Sequence, residues 1–217
     1  MDLFFASIVD KTLAFFINGG FFMGVLLVVS IAAGTVIVLR GTALREKWII
    51  PPALAAEIES LQPGDDLDKL ERLIARYPSS LGRVLGTLIR HLTWSRAEAV
   101  EAVQTKARHE VARLESGLVI LEITTGIAPL LGLLGTLSGL VGIFAAIGTD
   151  PVAVARGIAE ALNTTIVGLA VAVPSLITYN YFQRRIEVMA VEMESLLADL
   201  IVKCYPPGET PVVESVR

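Results

Sequence analysis

Few residues in this 217-residue chain suit redox, metal or covalent chemistry. Cys204 is the only cysteine, so an intrachain disulfide is excluded. The two histidines, His91 and His109, stand far apart with no cysteine near either. That is not metal-ligand spacing, and both read as solvated surface residues. No nucleophile lies beside a base in any recognisable motif, so no catalytic residue, metal site or cofactor is assigned. A basic region before the first apolar segment is also lacking: the chain opens Met1-Asp2 and reaches its first lysine at Lys11. The first hydrophobic segment is therefore expected to stay in the mature protein rather than leave as a signal peptide. The formal net charge of −4 gives no footing for nucleic acid.

The most informative absence is of charge within long stretches. Residues 19–39, 123–149 and 161–183 contain no Asp, Glu, Lys or Arg. Over half of the chain (53%) is hydrophobic and the mean hydropathy is +0.66. A bilayer-spanning helix needs about 20 apolar residues, and in lipid the backbone must satisfy its own hydrogen bonds. The sequence therefore predicts an all-α integral membrane protein with three transmembrane helices. Its segments are an outer N-terminus (1–18), span one (19–39), a long helical region (40–116), span two (117–147), a short outer loop (148–157), span three (158–183), and a helix with tail (184–217). Of eighteen lysines and arginines, twelve lie between Arg40 and Ser116 and four from Arg184 onward. Only Lys11 and Arg156 lie elsewhere. The positive-inside rule then puts the N-terminus outside and both the long loop and the C-terminus inside.

The inner region carries helical periodicity at Leu67, Leu70, Leu73 and Ile74, at Val84, Leu88 and Leu92, and from Val100 through Val103, Ala107 and Val111 to Leu114. Pro51–Pro52, Pro63–Gly64 and Pro78 punctuate it. The last of these helices is predicted to run unbroken into span two, giving roughly 45 residues and about 68 Å at 1.5 Å per residue. Span three is predicted to continue to about Lys203 on an apolar stripe of Ile186, Met189, Met193, Leu196, Leu197 and Leu200. These extensions should pack as a bundle, with a polar, proline-containing tail from Pro206.

Each of the last two spans has one small or polar face. In span two it runs Glu122, Thr125, Pro129, Gly132, Thr136, Gly139, Ile143, Ala146. In span three it runs Ala161, Thr165, Gly168, Ala172, Ser175, Tyr179. Small faces let another helix approach closely. Thr136 and Thr165 lie roughly 17 and 11 Å below the outer ends of their helices, so their hydroxyls fall at similar depth. Two readings stay open from the residues alone. Such threonines can simply bond back to a carbonyl four residues earlier, and small faces can be glue within any helical bundle; or the faces receive a narrow partner and line a pore.

The run Ile127 to Gly139, with Pro129, Gly132, Gly135 and Thr136, resembles the second-span signature of the ExbB/TolQ/MotA proton-channel family. Gly157 to Leu162, followed by Thr165, Gly168, Pro174 and Tyr179–Asn180, is similar to the third-span signature. Three spans rather than the four of MotA-type subunits favour the ExbB/TolQ branch. The resemblance implies a homo-pentameric ring in a bacterial inner membrane, N-terminus periplasmic and C-terminus cytoplasmic. Its pore would hold two copies of a single-span partner similar to ExbD or TolR, whose aspartate carries the translocated ion, H+ before Na+. It implies a motor that uses proton-motive force to energise envelope transport or maintenance through a TonB- or TolA-like protein. The family threonines match Thr136 and Thr165, and the outer pore glutamate matches Glu160. Glu122, near the inner mouth, and Thr125 are further pore-lining candidates, with Asn163 behind them. Gly132, Gly139, Ala161, Gly168 and Ala172 are candidates for packing the partner helix. Of Thr164 and Thr165, about 100° apart on the helix, the small stripe favours Thr165 as the one facing the centre. The competing reading is a non-conducting membrane scaffold.

Overall fold

A computed structural model of the chain describes residues 20–144 and 151–205. The N-terminal segment with Lys11, the stretch holding Ala146 and the first part of the outer loop, and the tail from Pro206 lie outside the described residues. Every regular element among the described residues is an α-helix. In chain order these are α1 (Gly20–Ala43), α2 (Glu46–Ile49), α3 (Pro52–Ser60), α4 (Asp68–Arg76), α5 (Ser80–Arg90), α6 (Arg96–Glu115), α7 (Leu118–Ile143) and α8 (Pro151–Cys204). Three of them, α1, α7 and α8, are long and apolar enough to cross a membrane. The all-helical, three-span class expected from the sequence is the class observed.

The chain divides into two compact units. The first comprises the described residues up to Leu39 together with Gly117–Tyr181. The three spans meet there at Leu26 of α1, Ala128 of α7 and Ala172 of α8, with Leu131, Val167 and Val171 packed around them. Pro129 and Pro174 lie inside α7 and α8 without ending either helix. Each leaves a carbonyl four residues earlier without its amide partner. Hydroxyls add local bonds around the second proline: Ser175 Oγ donates to the Val171 carbonyl (2.8 Å) and Thr178 Oγ1 to that of Pro174 (2.8 Å).

The second unit comprises Arg40–Ser116 and the chain from Phe182. Leu54, Ile58, Leu70, Leu81, Leu85 and Leu88 are fully buried in it. So are Ile186, Met189, Met193 and Leu200, the stripe that continues span three. Ser95 opens α6 with a capping box, in which Ser95 and Glu98 satisfy each other's backbone amides. Arg40 closes the other end of α6: its Nη2 donates to the Ser116 carbonyl at 2.7 Å and Nη1 to that of Leu114 at 3.3 Å. At the far end of α8, Lys203 Nζ donates to the Ile58 carbonyl at 2.7 Å, and the Tyr205 hydroxyl to those of His91, Leu92 and Trp94. One helical turn thus caps the carboxyl ends of both α3 and α5.

Three expectations need correction. The helix before span two does not run straight through. It ends at Glu115, and Gly117 takes φ +121°, a conformation open to glycine and costly for other residues. His91 is not simply solvated: it is half-buried, its Nδ1 lies 2.7 Å from the Thr87 carbonyl and its ring centroid 4.0 Å from that of Trp94. His109 is exposed as expected. Residues 151–157, assigned to the outer loop, are already helical in α8, with Pro151 at the helix start.

Candidate functional site

Three hydroxyls of the first unit, those of Thr136, Thr164 and Thr165, converge where α7 and α8 touch. Glycine makes that contact possible. A Cβ added to Gly168 would lie 2.6 Å from the Ala128 carbonyl oxygen, and one on Gly132 would lie 2.9 Å from that of Thr164. At Gly139 it would meet Ala161 Cβ at 2.9 Å. Backbone approaches this close are what small faces supply in lipid, where apolar surface gains nothing from leaving water. Gly132 and Gly139 of α7 and Ala161 and Gly168 of α8, candidates for receiving a partner helix, therefore meet across the seam within one chain. Ala172 is buried in the three-span cluster.

Within this seam the hydroxyls of Thr136 and Thr165 are 2.5 Å apart, either one able to donate. Thr136 Oγ1 also lies 3.1 Å from the Ala161 carbonyl and 3.2 Å from that of Gly132. Thr165 Oγ1 reaches the same Gly132 carbonyl at 3.1 Å, and Thr164 Oγ1 reaches it at 3.2 Å. One backbone oxygen thus faces three hydroxyls, each of which carries a single proton to donate. Thr136 and Thr164 are buried, whereas Thr165 is half-buried. The arrangement offers hydrogen-bond donors and acceptors inside an apolar seam with no group there that changes charge near neutral pH.

The structure joins Thr136 and Thr165 and leaves the other candidates apart. Thr125 is half-buried, with its hydroxyl bonded back to the Glu122 carbonyl at 2.6 Å. Glu122 is exposed and Glu160 half-buried. Asn163 is half-buried. Thr164, which the small stripe does not place at the centre, also takes part in the seam. It fills the notch beside Gly135, where an added Cβ would lie 2.7 Å from its Oγ1, and it donates to the Ala161 carbonyl at 2.7 Å. The usable signal was Gly135 itself, a second small position offset from the Gly132–Thr136–Gly139 stripe. Among the described residues no cluster of His, Cys, Asp or Glu could hold a metal ion.

Comparison with known proteins gives this seam a context. Residues 79–195 match the MotA/TolQ/ExbB proton channel family. The chain is 34% identical over 139 residues to an ExbB homolog of Methanothermobacter thermautotrophicus, covering 63% of this chain and 50% of that protein. It is 31% identical over 176 residues to an ExbB-like protein of Synechocystis, covering 76% and 67%. It is 30% identical over 182 residues to the Tol-Pal system protein TolQ of Pseudomonas aeruginosa, covering 76% and 78%. The aligned part thus spans half the length of the first of these relatives and more of the other two.

Proposed function

Because the chain belongs to the MotA/TolQ/ExbB proton channel family, we propose that it is the pore-forming subunit of an inner-membrane motor driven by proton-motive force. Five copies would form a ring, with the N-terminus periplasmic and the C-terminus cytoplasmic. The ring would enclose the transmembrane helices of a single-span partner similar to ExbD or TolR, in two copies. A TonB- or TolA-like protein would deliver the work to envelope transport or maintenance. The observation that carries this reading is the Thr136–Thr165 pair gathered on the Gly132 carbonyl.

The chemistry suits a carrier on another chain. A threonine hydroxyl does not titrate near neutral pH, so this chain supplies no mid-span proton carrier. It supplies hydroxyls to hydrogen-bond a partner carboxyl or orient water. Protonated and neutral, that carboxyl can pass an apolar ring that would reject it charged. Thr165, the half-buried member, is the one such a group would meet first. A membrane potential provides about 2.3 kcal/mol per charge per 100 mV, enough to bias a helix between adjacent sites. Glu160 would gather cations at the outer mouth; Glu122 and Thr125 would line the inner one. Sodium is the less favoured ion, and no reaction chemistry is assigned to the chain.

The alternative, a non-conducting scaffold, draws support from the same glycine contacts, since they seal α7 against α8 within one chain. Thr136→Val and Thr165→Val decide between the two, because valine keeps the shape and removes the hydroxyl. With the chain and its single-span partner reconstituted in proteoliposomes, each variant should lower proton flux at least tenfold. Full flux in both would rule out the hydroxyl mechanism and leave packing. Native mass spectrometry of the co-expressed proteins should first give five chains plus two partners. A monomer or dimer would count against the ring.

A further inference from the structure

We propose that the second unit binds the phosphate of an anionic phospholipid headgroup in the cleft lined by Lys47, Trp48, Arg76 and Tyr77. The cleft holds about 480 Å³ and is completed by Pro51 and Ser79 among others. No carboxylate among the described residues lines it, and among those residues neither Lys47 nor Arg76 forms an ion pair. Arg76 lies over the Tyr77 ring at 5.9 Å, a contact that orients the planar guanidinium while leaving its donors free. Phosphate is the ligand such an uncompensated pair of cations fits, Arg through its fork and Lys as a point charge.

Position in the chain selects the source of that phosphate. The membrane-length helix α1 ends at Ala43. At no more than about 3.6 Å per residue, Lys47 and Trp48 lie within roughly 18 Å of that end. Trp48 is 65% exposed, although tryptophan is a large apolar residue. An indole with one wet edge belongs at headgroup level, and cations just beyond a span attract anionic lipid. A free phosphate would meet the same cations but would give Trp48 no reason to stand exposed beside them.

The chain has two tryptophans, so Trp94→Phe leaves Trp48 as the sole indole reporter. The full chain is placed in nanodiscs of phosphatidylcholine with a minority of phosphatidylglycerol, bromine being carried on the acyl chains of one lipid or the other. Brominated phosphatidylglycerol should quench Trp48 several-fold beyond its share of the lipid. Lys47→Gln or Arg76→Gln should return quenching to that share, and Lys47→Arg should preserve the excess. Both side chains are exposed, so the neutral variants should keep their thermal midpoints. Quenching in proportion to lipid share would overturn the site, leaving a non-selective anchor. No quenching by either lipid would overturn it outright. Loss of the excess on adding inorganic phosphate would assign the cleft to a soluble anion instead.

Discussion

The two units are built on opposite rules. In the second, Leu81, Leu85 and Leu88 are fully buried and charged residues cover the outside. In the first, Leu130, Leu133 and Leu137 are half or more exposed, and the α7–α8 seam is filled by glycine, alanine and threonine, while Leu26 and Leu121 are buried elsewhere in the unit. The same physical chemistry gives both results. In water, apolar area gains about 25 cal/mol per Å² on burial, so large side chains go inward. In lipid that gain vanishes, and what remains is close packing and the satisfaction of polar groups. Leu130, Leu133 and Leu137 face outward from the single chain, Gly132 and Gly168 face the neighbouring helix, and the threonine hydroxyls bond to carbonyls. Polar groups follow the same division. The second unit buries a full charge, Glu110, and compensates it with Arg83 (2.5 Å) and Lys106 (3.1 Å). The first unit, at its α7–α8 seam, buries only hydroxyls.

That buried charge should give the largest effect. Burial alone would raise the Glu110 pKa, but the hydrogen bonds and charges of Arg83 and Lys106 outweigh it and hold the carboxyl at about 2. The folded value lies below the ordinary 4.5, so its contribution is complete above pH 4.5 and is lost as pH falls toward 2. It amounts to at most about 3 kcal/mol. Glu110→Ala removes one partner of a buried cluster and should cost about 3–5 kcal/mol at neutral pH, with a shallower loss of stability on acidification. Denaturation midpoints of the two proteins between pH 7 and pH 3 check both statements; parallel curves would mean that the ion cluster is idle. Next comes Leu88→Ala, which opens a cavity in the helical bundle and should cost about 2–5 kcal/mol. In the first unit the comparable damage comes from adding volume. Gly168→Ala drives a methyl against the Ala128 carbonyl and should cost about 1–3 kcal/mol. Gly142→Ala, which meets nothing within 4 Å, should leave the thermal midpoint in detergent unchanged.

The inversion also explains which features were legible in the sequence. The spans were, because charge is excluded from them by the solvent rather than by any fold detail. The stripe from Ile186 to Leu200 was legible because helical period and burial coincide there. The break at Gly117 was not: Ser116-Gly117 sits between two helical patterns, and nothing in periodicity distinguishes a helix that continues from one that stops and restarts at φ +121°. Half of the site could be read. The depths of Thr136 and Thr165 brought their hydroxyls level, but not the direction of the faces, because a small stripe looks the same whether it awaits a partner or packs on its own chain. The role of Thr164 depended on the notch at Gly135, a property of two helices together.

The other small expected effect is the most discriminating. Leu133→Ala removes as many atoms as Leu88→Ala, yet Leu133 is 50% exposed in the single chain. If lipid tails or detergent cover that face, they fill the space left behind, and the folding cost should stay within about 0.5 kcal/mol, as for surface positions generally. If instead a neighbouring copy covers it, truncation leaves a cavity between two proteins, and the cost should approach that of a core position while the oligomer weakens. Denaturation in mixed micelles, run beside size-exclusion chromatography, separates the cases. A near-zero cost with an intact oligomer would place Leu133 on the lipid side of the proposed ring. A cost of several kcal/mol with loss of the oligomer would make that leucine face the subunit interface, and the rule that large side chains point outward would then hold for the single chain alone.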